Sequence, residues 1–437
     1  MSRCPFPHHL FTRKSEKEEP SLPSRRALFR GAAAVGGTAM IAGLAPAYAA
    51  EPATAPEQPV DPALETVPFY GVHQAGIVNP APAAGMFVSF NVLAEDRKEL
   101  DELFRTLTDR FAFLTQGGPA ATAPEAFPPP DSGLLGPNVT PHGLTATLAV
   151  GTSLFDERFG LAPLKPRRLQ PMTAFPNDKL DADWCHGDLL VQFCSESAEA
   201  NLHALRDIIK HTPSLLMVRW KQDGFLPQST VRAGGRTTPR NLLGFKDGTG
   251  NPDASDPALM DRIVWVQPDS GEPDWAVGGS YQAVRIIRML VEQWDRTPLI
   301  EQEKIFGRNK ATGAPLDGTD EHDLPAYGAD PKGLKIPLDS HIRLANPRTP
   351  ETEGNLMLRR PYSYSRGVNR AGQLDMGLIF NCFQADLERG FITVQKRLDG
   401  EPLEEYVKPT GGGYFFALPG ATGPGRYLGQ SLMEAAA

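Results

Sequence analysis

The sequence predicts an α+β protein made of two halves, each an antiparallel sheet with helices packed on one face. Two observations predict this. A strand–helix–strand order, with short β-rich runs alternating with amphipathic stretches, occurs in the first half of the chain and again in the second. The composition, 41% hydrophobic and 22% charged over 437 residues, is that of a globular chain long enough to bury a sizeable core.

In chain order, Gly85 to Val92 is short and β-rich. Asp96 then sits where a helix N-cap belongs, with Glu99 placed as in a capping box. Leu100, Leu103, Phe104, Leu107 and Phe111 follow at helical spacing. From Gly117 to His142 the chain carries seven prolines and reads as a long loop. Leu144 to Gly151 and Asp188 to Cys194 read as strands. A helix with Leu202, Leu205, Ile208 and Ile209 on its apolar face comes next, then a strand from Leu215 to Trp220. In the second half, Tyr281 to Leu290 is a strand, and Gly377 to Phe383 resembles the strand at Asp188. It too precedes a helix, with Phe391, Val394 and Leu398 on one face, and Tyr414 to Leu418 closes the order.

Before these halves stands an export signal. Arg25 and Arg26 precede a Gly/Ala-rich apolar run from Gly31 to Ala45, and Ala47-Tyr48-Ala49 offers a small-x-small cleavage site. Paired arginines before a mildly apolar run mark the twin-arginine route. The competing reading is an uncleaved anchor, but a short run of Gly and Ala favours cleavage. That route exports folded proteins, so a periplasmic, extracytoplasmic location is expected, without stable membrane insertion after cleavage. Prolines 52, 56, 59, 62 and 68 then punctuate an extended tether. The expected organisation is a signal over 1–49, a linker over 50–68, and modules over 69–225 and 226–437.

Net charge is −8, from 44 basic and 52 acidic residues, and the body has no dense Lys/Arg run, so no nucleic-acid partner is expected. Cys4, Cys185, Cys194 and Cys382 form no C-x-x-C pair. No two histidines have metal-site spacing, which disfavours a zinc or non-haem iron centre. His203 and His211 read as surface residues of a helix, and His142 and His322 as loop residues.

Three stretches are left to carry chemistry. Gly244-Phe245-Lys246-Asp247-Gly248-Thr249-Gly250-Asn251-Pro252 presents one carboxylate on a glycine-rich loop. It is either a cap or a general acid/base beside a bound molecule. His341 lies in Ser340-His341-Ile342-Arg343-Leu344-Ala345-Asn346-Pro347-Arg348. A lone histidine is ordinarily structural, yet one axial imidazole is what a haem iron requires of a protein. Leu356-Met357-Leu358-Arg359-Arg360-Pro361-Tyr362 closes an apolar strand with two arginines. They are either solvated or aimed at a buried anion.

These three stretches, in this order, resemble the signature of the dye-decolourising peroxidase family, whose G-x-x-D-G motif matches Gly244, Asp247 and Gly248. Further pieces agree at Gly143 to Leu161, Asp188 to Cys194 and Gly307 to Gly313, so the resemblance spans the chain from about Phe69 to its end. With the twin-arginine signal it is most similar to the exported deferrochelatase/peroxidase branch, associated with iron uptake. The departure is the Pro-rich loop.

The resemblance implies two ferredoxin-like modules with haem b (heme b), one per subunit, in the C-terminal half. It implies His341 as the proximal ligand, Asp247 as the distal acid and Arg359 as the distal arginine, with Arg360 the rival. Gly248, Thr249 and Gly250 would run along the haem. Asn346, Pro347 and Arg348 would line its proximal side, Arg348 reaching a propionate. Glu405, rather than Glu404, would hold the proximal imidazole. Implied partners are hydrogen peroxide, small one-electron donors, haem itself as a substrate for iron release, proteins of an iron-uptake system, and a second copy in a homodimer. Two other readings compete. A haem carrier would not need the Asp247–Arg359 pair, and a chlorite-decomposing relative would lack the distal aspartate.

Overall fold

The computed structural model describes residues 61–227, 231–232, 235–236 and 238–436; the signal segment and most of the tether lie outside them. Ala63 and Glu65, at the end of the tether, already dock, their carbonyls accepting from His142 and Gly143 at 3.0 and 2.7 Å.

Alternation decides which way each strand faces. In β1 (Ala84–Val92), Met86, Val88, Phe90 and Val92 point to one core, and Phe87 to a second core on the opposite face. The first core is covered by α1 (Arg97–Gln116). The Asp96 side chain caps α1 by accepting from the Glu99 N–H at 2.9 Å. Glu99 returns a bond to Glu95 N–H, one residue before the position a capping box uses. The five apolar residues expected on the inner face of α1 are all fully buried.

The N-terminal half continues with β2 (Thr145–Gly151), β3 (Leu189–Ser195), α2 (Ala198–His211) and β4 (Leu216–Phe225). The C-terminal half contains β5 (Ser280–Met289), α3 (Leu299–Phe306), α4 (His341–Ala345), β6 (Leu358–Arg359), β7 (Tyr362–Val368), β8 (Leu374–Gln384), α5 (Thr393–Leu398) and β9 (Val407–Ala417). A π-helical turn, Glu388–Ile392, leads into α5.

In space the first four strands lie β4-β1-β3-β2, and the strands of the second half lie β9-β5-β8-β7, all antiparallel. Both are the order 4-1-3-2 of a βαββαβ unit, the ferredoxin-like arrangement. The two sheets do not stand apart. β2 pairs with β9 through Ala149, Val150 and Gly151, and β4 meets β7 through Phe225 and Ser363, so the edges of each half are covered by the other. Inside the closed sheet, Gln192 of β3, Gln282 of β5 and Asn381 of β8 bond one another at 2.8–3.1 Å across the two halves. The short β6 hangs on β8 outside this ring.

One helix differs from expectation. In α2, Leu205 and Ile208 are buried, but Leu202 and Ile209 are each 40% exposed. His203, expected at the surface, is 1% exposed. The Pro-rich loop folds down over this face of α2, with Lys210 donating to the Pro129 carbonyl and Ser132 bonded to His203, so polar residues are covered where solvent was expected. Among the described residues, no helix is long and apolar enough to cross a membrane.

Candidate active site

The glycine loop is built by its neighbours. The Arg240 guanidinium donates to the carbonyls of Gly244, Lys310 and Ala311, and the Asn241 side chain accepts from the N–H groups of Leu243 and Phe245. Gly248 has φ +128°, a conformation costly for any residue with a Cβ, and it turns the chain between Asp247 and Thr249. Glu321 grips the loop on both sides of Asp247, pairing with Lys246 and accepting from Thr249 Oγ1 at 2.9 Å. Burial alone would raise the Glu321 pKa, but bonds from Lys246, Thr238 and Thr249 outweigh it and hold the carboxyl below its ordinary value. Since Glu321 holds the loop on both sides of Asp247 and is not itself among the cavity lining, Glu321→Gln is expected to retain any bound cofactor yet slow turnover by roughly 10-fold or more. Stopped-flow comparison at equal cofactor loading checks this.

Asn251 then ties the loop to β6. Its side chain accepts from Arg359 N–H at 2.9 Å and donates to Arg359 C=O at 3.0 Å. Asp247 and Arg359 thereby face each other, with Nη1 to Oδ1 at 3.5 Å. Strand alternation separates the two arginines. Arg359 lines the cavity, whereas Arg360 is buried in the closed sheet and donates to the Asn79 carbonyl.

His341 opens the short α4. Gly307, with φ +82°, closes α3, and a Cβ there would meet Ile342 at 2.8 Å and Ser340 at 3.0 Å, so glycine lets α4 approach. His341 Nδ1 bonds Glu401, at 2.8 Å to one carboxylate oxygen and 3.1 Å to the other. Nε2 is left as the ring's remaining ligating atom. Burial disfavours charge on this imidazole. The Glu401 carboxylate outweighs that through its charge and its hydrogen bond, with a smaller contribution from Asp247, and the pKa lies above its ordinary value. This corrects the expectation for Glu405. The 3-10 turn Pro402–Glu405 turns away after its N-cap, Glu401, and it is that cap residue, 7% exposed, that reaches the ring. Glu404 does not bond it either; it is held apart, its carbonyl accepting from Lys408. Glu401→Gln is therefore expected to lower cofactor affinity by about 10–100-fold and Glu405→Gln to leave it unchanged, as titration of the cofactor-free protein would show.

One cavity is lined by Asp247, Gly248, Thr249, Gly250 and Arg359 together with His341, Asn346 and Arg348. Pro347 is not among its lining. Its ring instead follows the extended Asn346 (φ −142°, ψ 88°) and stops α4. Among the lining residues not singled out from the sequence are Arg308 and Tyr327. Arg308 lies in the Gly307–Gly313 stretch, whose family likeness was the available signal. Burial lowers its pKa, and the like charges of Arg348 and Arg359 add to this. Tyr327 Oη is buried without a hydrogen-bond partner, and burial pushes the phenol up to about 12, so it stays a donor. Ile287, Met289, Phe306, Met357, Leu378 and Phe380 supply an apolar part of the wall.

The residues suit a flat, dianionic, metal-bearing ligand. One imidazole is braced by a carboxylate, arginines and an unpartnered phenol suit carboxylates, and a glycine loop admits close approach of main chain. Haem has these features.

The comparisons agree with this chemistry. The model for the Dyp-type peroxidase N-terminal region matches residues 74–226, and that for the Dyp-type peroxidase C-terminal region matches residues 238–422. The chain is 59% identical over 414 residues to a deferrochelatase of Escherichia coli O6:K15:H31, covering 94% of this chain and 97% of that one. It is 58% identical over 422 residues to a deferrochelatase of Escherichia coli O157:H7, covering 96% and 99%. Among solved structures it resembles a DyP-type peroxidase from Cellulomonas bogoriensis, with TM-score 0.76 and 35% identity over 86% of this chain and 99% of that one. It also resembles DtpA from Streptomyces lividans, solved as an oxyferrous complex, with TM-score 0.77 and 36% identity over 86% and 100%. With both family models matched and relatives this similar over nearly their whole length, the chain belongs to the Dyp-type peroxidase family.

Proposed function

We propose that the chain is a haem b peroxidase that reduces hydrogen peroxide with electrons from small one-electron donors. The observation that carries this reading is the Asp247–Arg359 pair, 3.5 Å apart, on the same cavity as the His341–Glu401 pair. A carrier needs the second pair only.

His341 Nε2 would ligate the iron, and Glu401 would fix the ring and raise its basicity. Arg308, Arg348 and Tyr327 would hold the porphyrin carboxylates. Haem held there would supply the redox iron needed for O–O cleavage. Asp247 takes the proton from the near oxygen of peroxide and delivers it to the far one, directly or through water. The Arg359 guanidinium, fixed in charge, offsets negative charge as the bond breaks. An aspartate remains a base at acidic pH, where a histidine would be protonated, so an acidic optimum is expected. Turnover that climbed steadily from about pH 4 to about pH 8 would contradict this.

A second activity, iron release from haem with the porphyrin kept intact, is supported by the 59% identity to proteins named deferrochelatase. Export by the twin-arginine route to the periplasm is supported by residues 24–49 of the sequence. The homodimer and the iron-uptake partners rest on the family resemblance, and sedimentation of the haem-loaded protein tests the former.

The deciding experiment adds peroxide to the haem-loaded protein and follows the Soret band and donor oxidation in wild type and Arg359→Ala. Haem retained without any peroxide reaction in wild type selects the carrier. Anaerobic incubation with haem and a ferrous chelator, followed by chromatography for metal-free porphyrin, tests iron release separately.

A further inference from the structure

Away from the haem cavity, the loop from Gly117 to His142 brings a second set of ligating side chains together. Asp131 comes from the loop, and His203 and Asp207, four residues apart, share one face of α2. A carboxylate oxygen from each aspartate and a ring nitrogen of His203 all lie within 4.8 Å of one another. The three side chains are 10%, 1% and 2% exposed, so the group is sequestered from solvent.

The bonding of this group is incomplete at one atom. His203 Nδ1 bonds Ser132 Oγ at 2.8 Å, but Nε2 is buried with no hydrogen-bond partner, and Asp131 Oδ2 stands 3.6 Å from it. Asp131 Oδ1 is occupied by Gly133 N–H at 2.6 Å, which leaves Oδ2 toward the histidine. Asp207 accepts from Arg110 Nε and Nη2 at 2.7 and 2.8 Å. Each carboxylate oxygen has two lone pairs, so that bidentate contact leaves Asp207 with acceptor capacity. The two carboxylates and the Arg110 guanidinium leave one negative charge, and the Arg206 guanidinium also acts on His203 from nearby. His203 Nε2 is the ring atom left to meet a further partner. His211 does not complete the set, because its Nδ1 bonds the Asp207 carbonyl at 2.8 Å.

We propose that Asp131 Oδ2, His203 Nε2 and an Asp207 oxygen form a binding site for a divalent first-row metal cation, which staples the Pro-rich loop to α2. One imidazole nitrogen and two carboxylate oxygens, with no thiolate, suit Zn²⁺ or Mn²⁺ rather than a soft ion. The cation fixes the tautomer with Nδ1–H donating to Ser132. Ligands at tetrahedral zinc bond lengths stand about 3.4 Å apart, so the donors close in by roughly 1 Å on binding. The loop allows this, since its strand pairing is confined to Gly118–Pro119 against Asn138–Val139.

The test uses haem-loaded wild type, Asp131→Asn and His203→Gln, each equilibrated with Zn²⁺ or with Mn²⁺, freed of excess metal and analysed for metal content. Wild type is expected to keep one equivalent of Zn²⁺ or Mn²⁺ per chain beyond the haem iron, at a site that anomalous diffraction places between these three side chains. Asp131→Asn is expected to bind about 10-fold or more weakly, and Zn²⁺ should raise the Tm of wild type but not of this variant. Asp131→Asn lies on the loop and keeps the core of α2, so it remains informative if His203→Gln does not fold. Wild type that retains neither metal, or Asp131→Asn that binds as tightly as wild type, overturns the proposal.

Discussion

Replacing Asp247 by alanine is expected to slow peroxide turnover by about 10²–10⁴-fold while haem stays bound, the range that a positioned acid/base contributes. The expectation follows from where the side chain stands. The carboxylate lines the cavity opposite no other described acid on its loop, and its nearest charged partner is Arg359 at 3.5 Å. The loop itself is held by Arg240, Asn241, Glu321 and Asn251 through bonds that do not use the Asp247 carboxylate. Removing that carboxylate therefore deletes the proposed proton shuttle and leaves the wall in place. Stopped-flow spectra at increasing peroxide would show an unchanged resting Soret band and a much slower first step. A rate within about threefold of wild type would remove Asp247 from the mechanism.

Replacing His341 by alanine is expected to have the largest effect on cofactor binding. Loss of an outer partner of a metal ligand costs about 10–100-fold, and loss of the ligand itself should exceed that. Among the described residues, His341 is the one histidine lining the cavity, and the short α4 that carries it also packs closely against Gly307. The variant should therefore fold, elute without a Soret band, and lose the rise in Tm that haem confers on wild type through mass action. His322→Ala is the control, because that exposed side chain is outside the cavity lining and should leave haem content unchanged. Haem lost on changing His322 and kept on changing His341 would overturn the ligand assignment.

Much of the fold could be read along the chain because its signals are local. Strand alternation in Ala84–Val92, helical spacing from Leu100 to Phe111 and the Asp96 cap each depend on residues a few positions apart. So does the separation of Arg359 from Arg360, which is a period-two argument. The burial of α2 departs from its local pattern for the opposite reason. Whether His203 meets solvent depends on Asp131 and Ser132, some seventy residues earlier, in a loop whose prolines give no period to follow.

The sequence by itself determined a strand–helix–strand order in each half, the acid on its glycine loop, the lone histidine and the arginine strand, because each is written in adjacent residues whose chemistry is local. Only the tertiary structure decided how these meet. Closure of the two half-sheets through β2–β9 and β4–β7 joined the halves into one ring. Asn251, 108 residues from Arg359, aligned the acid with its arginine. The carboxylate on His341 proved to be Glu401 and not Glu405. That choice turns on the direction of one 3-10 turn 60 residues away, and direction in space is set by packing, which spacing along the chain does not encode.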